Sequence, residues 1–215
     1  MRTLPTFEER VNPNHTAVLV VDVQNDFVHE EGSLARAGRD VRPGQRVVPS
    51  IRSLVERTRE MGARLIWVRT EHAPWTNSAA WLGRIRKKQD VGHFPICVTG
   101  TWGADMYGLE PRAGEPIVTK HRYSAFLNTD LDLILRSLEI LTVVIAGVTT
   151  NVCVESTARD AAMRNYYTIV LSDCTAADSE AEHQAALYTL DHYFGIVAES
   201  ARLFEAWRGQ SAKLI

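Results

Sequence analysis

The segment from residue 141 to residue 164, LTVVIAGVTTNVCVESTARDAAMR, constrains the fold most, because an apolar run changes there into a helical pattern. Residues 141–147 are rich in Val, Ile and Leu and end at a glycine, which predicts a strand buried on both faces of a parallel sheet. From Val152 onward, apolar residues recur at helical spacing. Cys153 is therefore predicted in the first turn of a helix, where unpaired amides and the helix dipole favour a thiolate.

Strand-like and helix-like segments alternate along the rest of the chain. Further strands are predicted at residues 16–23, 64–69, 116–119, 167–171 and 195–198, and helices at 49–61, 131–138, 180–193 and 201–207. Such alternation implies a parallel sheet with right-handed crossovers and helices on both faces. We therefore predict a single α/β domain over residues 1–215, a three-layer, doubly wound sandwich with a mainly parallel sheet of about six strands.

The segment 71–114 is rich in Trp, Gly and Pro and has no clear period. So long an irregular segment in a compact domain is more often a lid or a binding loop than a simple connection. We predict that it is such a loop and that it determines substrate selectivity. Trp81 and Trp102 belong to it, and the sequence leaves open whether they line a pocket or a subunit interface.

The charge of the chain argues for a small-molecule partner. The formal net charge is -2, and the Lys and Arg residues form no dense basic block, so we expect no nucleic-acid partner and no membrane-surface partner. No apolar run approaches the roughly 18 residues of a membrane span, and the first residues lack the apolar core of a signal peptide, so we expect a cytoplasmic protein. Three cysteines without paired spacing predict free thiols rather than disulfides or a zinc site.

Three chemically useful side chains lie at the ends of predicted strands. They are Asp22 at the end of the first strand, Lys120 after the third and Cys153 after the fourth: a base, a cation and a nucleophile. Each residue alone is more often a cap, a solvated charge or an inert core residue. Ligands of open parallel sheets gather outside the carboxyl ends of the strands, so the three residues together form a candidate active site.

Cys174 is the competing nucleophile, because it also follows a predicted strand, 167–171. The next helix is predicted to begin only after Ser179, so Cys174 lacks the helix dipole that would lower the pKa of its thiol. Cys97 lies within the long loop and is predicted to be structural. None of the seven histidines has the spacing of a metal-binding helix or an obvious pairing with Cys153. We therefore favour Cys153 as the nucleophile.

Three motifs resemble those of a known family. They are VVDVQNDF at 20–27, KHRYSAFLNTDLD at 120–132 and AGVTTNVCVESTARDAAMR at 146–164. In this order and spacing, over about residues 14–200, the chain resembles the cysteine hydrolases of the isochorismatase-like superfamily. Within that superfamily, the second and third motifs are most similar to those of the ureidoacrylate amidohydrolases.

The resemblance implies roles for individual residues. Matched by motif, Asp22 is the general acid and base, Lys120 is its cationic partner and Cys153 is the nucleophile. The resemblance also implies a cis peptide bond between Val148 and Thr149, with the backbone amides of Thr149 and Cys153 forming an oxyanion hole. A homo-oligomer, either a dimer or a tetramer, is implied as well.

Two differences from other members of the superfamily limit the reactions that we expect of this chain. Metal-dependent nicotinamidases of this superfamily carry an Asp-x-His motif just after the second strand, whereas residues 69–73 of this chain read RTEHA. We therefore predict no metal and no other cofactor. True isochorismatases lack the nucleophilic cysteine and hydrolyse a vinyl ether, so the presence of Cys153 favours the cleavage of an amide or a ureide.

The predicted function is hydrolysis of a small amide or ureide, a ureidoacrylate-like or carbamoyl compound, through a thioester with release of ammonia. Phe27, Trp75 and Tyr123 lie near the strand ends or in the long loop and are predicted to contact the substrate. The same chemistry could act on biuret, an N-carbamoyl amino acid, nicotinamide or a hydrazide. A catalytically silent α/β scaffold and a thiol redox protein using Cys153 and Cys174 are the alternatives from other classes.

Overall fold

A parallel β-sheet forms the centre of the fold in the computed structural model, which describes residues 3–83 and 95–211. Within these residues the sheet has six strands in the order β3-β2-β1-β4-β5-β6, and every neighbouring pair is parallel. This confirms the predicted α/β fold. The strands are β1 (Thr16–Val21), β2 (Arg64–Thr70), β3 (Ile117–Lys120), β4 (Thr142–Val148), β5 (Tyr167–Ala176) and β6 (Ile196–Ala198).

Helices precede, connect and follow the strands. Those within the described ranges are α1 (Phe7–Arg10), α2 (Asn25–Val28), α3 (Ser33–Arg36), α4 (Arg42–Glu60), α5 (Ala79–Gly83), α6 (Leu131–Ser137), α7 (Glu155–Met163), α8 (Glu180–Tyr193) and α9 (Ser200–Ser211). None of the helices described here has the length and apolar character that crossing a membrane requires.

Both faces of the sheet are covered by helices. Successive side chains of a strand point to opposite faces, and in β1 Val18 and Val20 pack into one apolar cluster while Leu19 and Val21 pack into the other. The first cluster contains apolar side chains of α1, α4 and α9, and the second contains those of α6, α7 and α8. Because both faces are buried, the central strands are apolar throughout, which explains the continuous apolar runs in the sequence.

The strand order brings the carboxyl ends of β3, β2, β1 and β4 side by side. Thr70, the last residue of β2, pairs with Lys120, the last residue of β3. On the other side of β2, Val21 of β1 pairs with Val68, and Val21 also pairs with Gly147 of β4. Residues from four strands therefore meet at this edge of the sheet.

Gly147 is required where β4 runs beside β1. Its φ is +124°, a conformation that residues with a Cβ rarely adopt. A Cβ at this position would lie 1.9 Å from the carbonyl oxygen of Val21. The glycine that ends the apolar run in the sequence thus permits the close approach of two central strands.

Three elements extend well beyond their predicted bounds, and one of them is α9, which spans Ser200–Ser211 where the sequence predicts 201–207. Helix α4 begins at Arg42 rather than at residue 49, and Pro49 lies inside it. Its buried face continues across Pro49, from Val48 to Ile51, so packing offsets the backbone hydrogen bond that proline cannot make. Strand β5 continues beyond residue 171 to Ala176, through polar residues that interrupt the apolar run.

The segment predicted as a lid or binding loop contains short elements. Pro74–Thr76 and Trp102–Ala104 form single 3-10 turns, and α5 lies between them in the sequence. An isolated parallel bridge joins His72 to Val98. Residues 84–94, which belong to the same predicted loop, lie outside the described residues.

Candidate active site

Asp22 directly follows β1 and lies at the carboxyl edge of the sheet. Its φ of 54° is in the left-handed region, which Asp tolerates better than most residues. Its amide donates to the carbonyl oxygen of Val68 at 2.9 Å, which fixes the backbone. The side chain is fully buried. A buried carboxylate requires a charged partner or hydrogen bonds, and it has both here.

Lys120 supplies the charged partner. Its Nζ lies 2.7 Å from Asp22 Oδ2, and both side chains are almost completely buried. Nζ also donates to Thr70 Oγ1 at 2.7 Å and to the carbonyl oxygen of Arg122 at 3.0 Å. Burial alone would lower the pKa of Lys120, but Asp22 and Cys153 raise it above the ordinary value, so the side chain remains an ammonium.

Cys153 lies in a π-helical turn, Thr150–Val154, which joins β4 to α7. Its Sγ accepts a hydrogen bond from Lys120 Nζ at 3.4 Å, so one ammonium contacts both Asp22 and Cys153. Burial raises the pKa of the Cys153 thiol to about 12; Lys120 opposes this rise and Asp22 adds to it. The resting site therefore holds the thiol, and not the thiolate that a position in a first helical turn predicts.

The backbone after β4 turns sharply toward the helix. The peptide bond between Val148 and Thr149 is cis. The first amides of a helix have no carbonyl partner within it, and Cys153 lies in the first turn of the helical segment that begins at Thr150. The backbone N–H group of Thr149 therefore lies immediately before the turn that carries the thiol, and that of Cys153 lies within it.

His183 of α8 supports this turn from the side. Its Nδ1 lies 2.8 Å from Thr150 Oγ1, and Thr150 is fully buried. Burial lowers the pKa of His183, although Glu180 acts in the opposite direction. The neutral imidazole is thus favoured, and it holds the side chain three residues before Cys153 in place.

Gln24 joins the end of β2 to the long loop. Its Nε2 donates to the carbonyl oxygens of Thr70 and Ala104, both at 2.8 Å, and its Oε1 accepts from the Thr70 amide at 2.7 Å. No residue of β2 is among the predicted site residues, yet Thr70 contacts both Asp22 and Lys120. The signal that could have identified Thr70 is its position as the last residue of a strand at the same edge.

Asp26 links the long loop to the first motif, VVDVQNDF, through a hydrogen bond. Its Oδ1 accepts from the Ser33 amide at 2.9 Å, and its Oδ2 accepts from the Cys97 amide at 2.6 Å. A Cβ on Gly103 would lie 2.2 Å from Oδ2, so a larger residue there would displace the Asp26 carboxylate from these amides. The motif VVDVQNDF therefore contributes more than Asp22, because its Gln24 and Asp26 anchor residues of the predicted lid.

The three predicted substrate contacts lie in different environments. Phe27 of α2 is half-buried and packs against the apolar cluster that contains α4. Trp75 is 84% exposed, and Tyr123 is 37% exposed. No substrate contact can be assigned from burial alone, so the binding roles of these residues remain predictions.

Tyr123 belongs to a cluster of aromatic rings beside the site. Its ring centroid lies 5.0 Å from that of Trp81, and the Arg122 guanidinium carbon lies 4.4 Å from the Trp81 centroid. Arg122 Nη1 donates to the carbonyl oxygen of Thr76 at 3.0 Å. Trp102, in contrast, is 46% exposed and lies against another residue, with its ring centroid 4.9 Å from that of His29.

The other two cysteines are not part of this arrangement, although Cys97 lies close enough for the charges of Asp22 and Lys120 to act on its thiol. Cys174 is inside β5 rather than after a strand, and it packs in the cluster with α4, whereas Cys153 packs in the cluster on the opposite face of the sheet. Burial raises the pKa values of Cys97 and Cys174, and neither thiol contacts Lys120 in the described part of the chain. Placement on opposite faces argues against a redox pair of Cys153 and Cys174.

Metal binding has no support in the described residues. Within 3–83 and 95–211, no group of three or more His, Cys, Asp or Glu side chains could hold a metal ion. The prediction that the reaction needs no metal and no cofactor therefore stays a prediction, since residues 84–94 lie outside the described residues.

Comparison with known sequences shows which family the chain resembles. A family model described as the isochorismatase domain matches residues 16–202. The ureidoacrylate amidohydrolase RutB of Serratia proteamaculans (strain 568) is 36% identical over 213 residues, which covers 92% of this chain and 85% of the relative. RutB of Enterobacter sp. (strain 638) is 34% identical over 221 residues, covering 96% of this chain and 96% of the relative.

Solved structures share the fold. An isochorismatase-like hydrolase from Alkaliphilus metalliredigens is 36% identical, with a TM-score of 0.73 and coverage of 89% of this chain and 98% of that one. A cysteine hydrolase from Pseudomonas syringae pv. phaseolicola 1448A has a TM-score of 0.76 at 27% identity, covering 97% and 98%. The nicotinamidase PncA from Bacillus subtilis has a TM-score of 0.72 at 26% identity, covering 86% and 99%.

Proposed function

The chain belongs to the isochorismatase family of hydrolases, and we propose that it uses Cys153 to cleave a C–N bond of a small amide or ureide through a thioester intermediate. The observation that carries this proposal is the position of Lys120 Nζ, 2.7 Å from Asp22 Oδ2 and 3.4 Å from Cys153 Sγ. One buried cation thus joins a carboxylate and a thiol, which is the requirement for moving a proton between them and stabilising the thiolate that results.

The reaction begins with transfer of the thiol proton to Asp22. The pKa of the Cys153 thiol is about 12, so hardly any thiolate exists at neutral pH without a base. As the proton leaves, the negative charge on sulfur is stabilised by the ammonium of Lys120, its hydrogen-bond donor at 3.4 Å. The thiolate then attacks the substrate carbonyl carbon, a new S–C bond forms, and the carbonyl π electrons move to oxygen.

The resulting oxyanion needs donors that are already in place. We assign this role to the backbone N–H groups of Thr149, just before the turn after β4, and of Cys153, within that turn. In sites of this kind, one oxyanion donor contributes about 2.7–4 kcal/mol to transition-state stabilisation. The hydrogen bond between Thr150 and His183 supports the proposal, because it holds the turn that carries these amides.

Collapse of the tetrahedral intermediate breaks the C–N bond. Asp22 returns its proton to the departing nitrogen, which leaves as ammonia where the substrate nitrogen is an unsubstituted amide. A water molecule then gives a proton to Asp22 and attacks the thioester, and the C–S bond breaks as Asp22 returns this proton to sulfur, which regenerates the thiol. Asp22 therefore acts in turn as base, acid, base and acid, and the Asp22, Lys120 and Cys153 triad ends each cycle unchanged.

A ureidoacrylate-like or carbamoyl compound is the substrate class that we favour. Support comes from relatives named ureidoacrylate amidohydrolase at 33–36% identity. Biuret, N-carbamoyl amino acids, nicotinamide and hydrazides fit the same chemistry and remain the alternatives. Phe27, Trp75 and Tyr123 are proposed to contact the substrate, with selectivity in the segment 71–114.

Arg122 favours a substrate that carries a carboxylate. Its own carbonyl oxygen accepts from Lys120 Nζ, so the residue is next to the proposed triad. Nη1 is engaged by backbone carbonyls, whereas no described residue accepts from its Nε or Nη2. Guanidinium groups bind carboxylates in a bidentate manner, so this free edge suits a ureido acid better than an uncharged amide.

Ammonia release from a panel of substrates tests the proposed function. The panel contains a ureido acid, an N-carbamoyl amino acid, biuret, nicotinamide and a hydrazide, and the variants are Cys153→Ala and the matched Cys174→Ala. We expect release from at least one ureide or amide, loss by several orders of magnitude in Cys153→Ala, and retention in Cys174→Ala. Release from none of the compounds, or equal release by Cys153→Ala, would contradict the proposal and favour a catalytically silent scaffold.

Assembly and location are further proposals. We propose a homo-oligomer, either a dimer or a tetramer, because of the family resemblance. Light scattering of the purified protein tests this proposal. A cytoplasmic location is supported by three buried free thiols, Cys97, Cys153 and Cys174, because such thiols are typical of reducing compartments.

A further inference from the structure

Thr70 contacts two side chains of the proposed triad without belonging to it. It is the last residue of β2 and is 4% exposed. Its Oγ1 lies 2.7 Å from Lys120 Nζ and 3.0 Å from Asp22 Oδ1. A hydroxyl group between a buried ammonium and a buried carboxylate is a candidate for a role in the chemistry of both.

The direction of the two hydrogen bonds follows from the chemistry of the partners. An ammonium group can only donate, so Thr70 Oγ1 accepts from Lys120. An ionised carboxylate can only accept, so the single hydroxyl proton of Thr70 is donated to Asp22 Oδ1. The hydroxyl therefore has one orientation, and Oδ1 is occupied by a donor.

The second carboxylate oxygen is in a different situation. Asp22 Oδ2 lies 2.7 Å from Lys120 Nζ as an ion pair, but in the described part of the chain no donor reaches it with the geometry of a regular hydrogen bond. The hydrogen bonds of Nζ go to Thr70 Oγ1, to the carbonyl oxygen of Arg122 and to Cys153 Sγ. Oδ2 thus keeps lone pairs that are available for a proton.

We propose, building on the amide hydrolysis proposed above, that Thr70 is a positioning residue that gives the two oxygens of Asp22 different tasks. Thr70 holds Oδ1, and Oδ2 receives the proton of Cys153. In this step the S–H bond breaks, an O–H bond forms at Oδ2, and the electron pair stays on sulfur next to the Lys120 ammonium. Without the Thr70 hydroxyl the carboxylate can rotate, and Lys120 loses one acceptor.

Alkylation of Cys153 by iodoacetamide tests this proposal without any substrate. The rate of adduct formation at Cys153 is followed by peptide mass spectrometry across a range of pH in the wild type, Thr70→Val and Thr70→Ser. Thr70→Val keeps the shape but removes the hydroxyl, and we expect alkylation at neutral pH to slow by about 10- to 100-fold, the range for a hydrogen bond to a charged group. Its rate profile should also move to higher pH, whereas Thr70→Ser should restore the wild-type profile.

Thr142→Val is the matched control. Thr142 is fully buried and begins β4 at the opposite edge of the sheet, where its hydroxyl donates to the carbonyl oxygen of Arg10. This variant loses a buried hydrogen bond but should keep the alkylation profile of the wild type. A change confined to stability, measured by thermal unfolding, would thereby be separated from a change in the proton transfer.

The outcomes separate the two proposals. If the wild type is alkylated at Cys153 and Thr70→Val has the same rate at every pH, the role of Thr70 is refuted while the proposed function stands. If the wild type shows no adduct at Cys153, or labels Cys174 faster, the proposed nucleophile itself fails. If Thr70→Val does not fold, Thr70→Ala replaces it, and equal profiles for the Ala and Ser variants refute the role of Thr70.

Discussion

Replacement of Lys120 by Met should destabilise the protein strongly, because it leaves the charge of Asp22 buried without a cation. The side chains of Lys120 and Asp22 are 1% and 0% exposed, and Nζ lies 2.7 Å from Oδ2. Met resembles the lysine stem in length and flexibility, so the main change is the loss of the ammonium group. Removing one partner of a buried ion pair costs about 3–5 kcal/mol, and we expect a loss of that size in the free energy of unfolding at neutral pH.

Adding Asp22→Asn to Lys120→Met should restore part of the lost stability. In Asp22→Asn/Lys120→Met no charge remains buried, and the Thr70 hydroxyl can still donate to the side-chain oxygen at position 22. The double variant should therefore be more stable than Lys120→Met alone. It should also be inactive, since neither a base nor a cation remains beside Cys153.

The pH dependence of Lys120→Met follows from the same reasoning. An unpaired buried carboxylate can be neutralised by taking up a proton, so the folded variant binds more protons than its unfolded state under mildly acidic conditions. The stability of the variant relative to the wild type should then increase as the pH falls.

Urea unfolding followed by far-UV circular dichroism, at about pH 5 and about pH 8, measures these differences. The control is Arg136→Met, which removes the cation of an exposed ion pair with Asp132 and should change stability by less than about 1 kcal/mol. A Lys120→Met variant as stable as the wild type would refute the reasoning, and so would a double variant less stable than Lys120→Met.

Three further predictions concern the support of the site. Gly147→Ala should abolish soluble folded protein, measured by yield and circular dichroism, because its Cβ would lie 1.9 Å from the Val21 carbonyl oxygen. Asp26→Ala should lower the thermal midpoint, since two buried amides lose their acceptor at about 1–3 kcal/mol each. Burial alone would raise the pKa of Glu115, but hydrogen bonds, above all from Arg59, lower it from 4.5 to about 2. Stability from this carboxylate is thus present above about pH 4.5 and lost as the pH falls toward about 2, and Glu115→Gln should show a shallower acid-induced loss in thermal unfolding.

The sheet was predictable because its central strands are buried on both faces. The continuous apolar runs of β1, β2 and β4 have no polar face, which distinguishes them from amphipathic helices and indicates a parallel sheet. The carboxyl ends of such strands share an edge, so the proximity of Asp22, Lys120 and Cys153 is predictable from the sequence.

The bounds of some elements depend on tertiary packing, which a local sequence pattern does not reveal. Pro49 is a helix start by local rules, but tertiary contacts on both sides of it keep α4 continuous. Cys174 follows an apolar run, yet β5 continues past it because pairing with β4 extends to Ala176. These two differences change the element boundaries without changing the order of the strands.

The proximity of Asp22, Lys120 and Cys153 was predictable from the sequence, but the pKa of the Cys153 thiol and the contacts of Thr70 were not. The position of Cys153 in a first helical turn predicts an acidic thiol, whereas burial raises the pKa of the Cys153 thiol to about 12. Thr70 has no sequence signal of its own, because a threonine at a strand end is common. Its contacts with Asp22 and Lys120 arise only when β2 and β3 pair in the observed register.

The central claim is that Cys153 forms a covalent acyl intermediate, and mass spectrometry of enzyme quenched during turnover tests it most directly. With a ureide or amide that the enzyme hydrolyses, we expect the mass of the acyl group on the peptide that contains Cys153 and on no other cysteine peptide. The adduct should be absent in Cys153→Ala. An acyl group on Cys174, or undiminished hydrolysis by Cys153→Ala, would contradict the account.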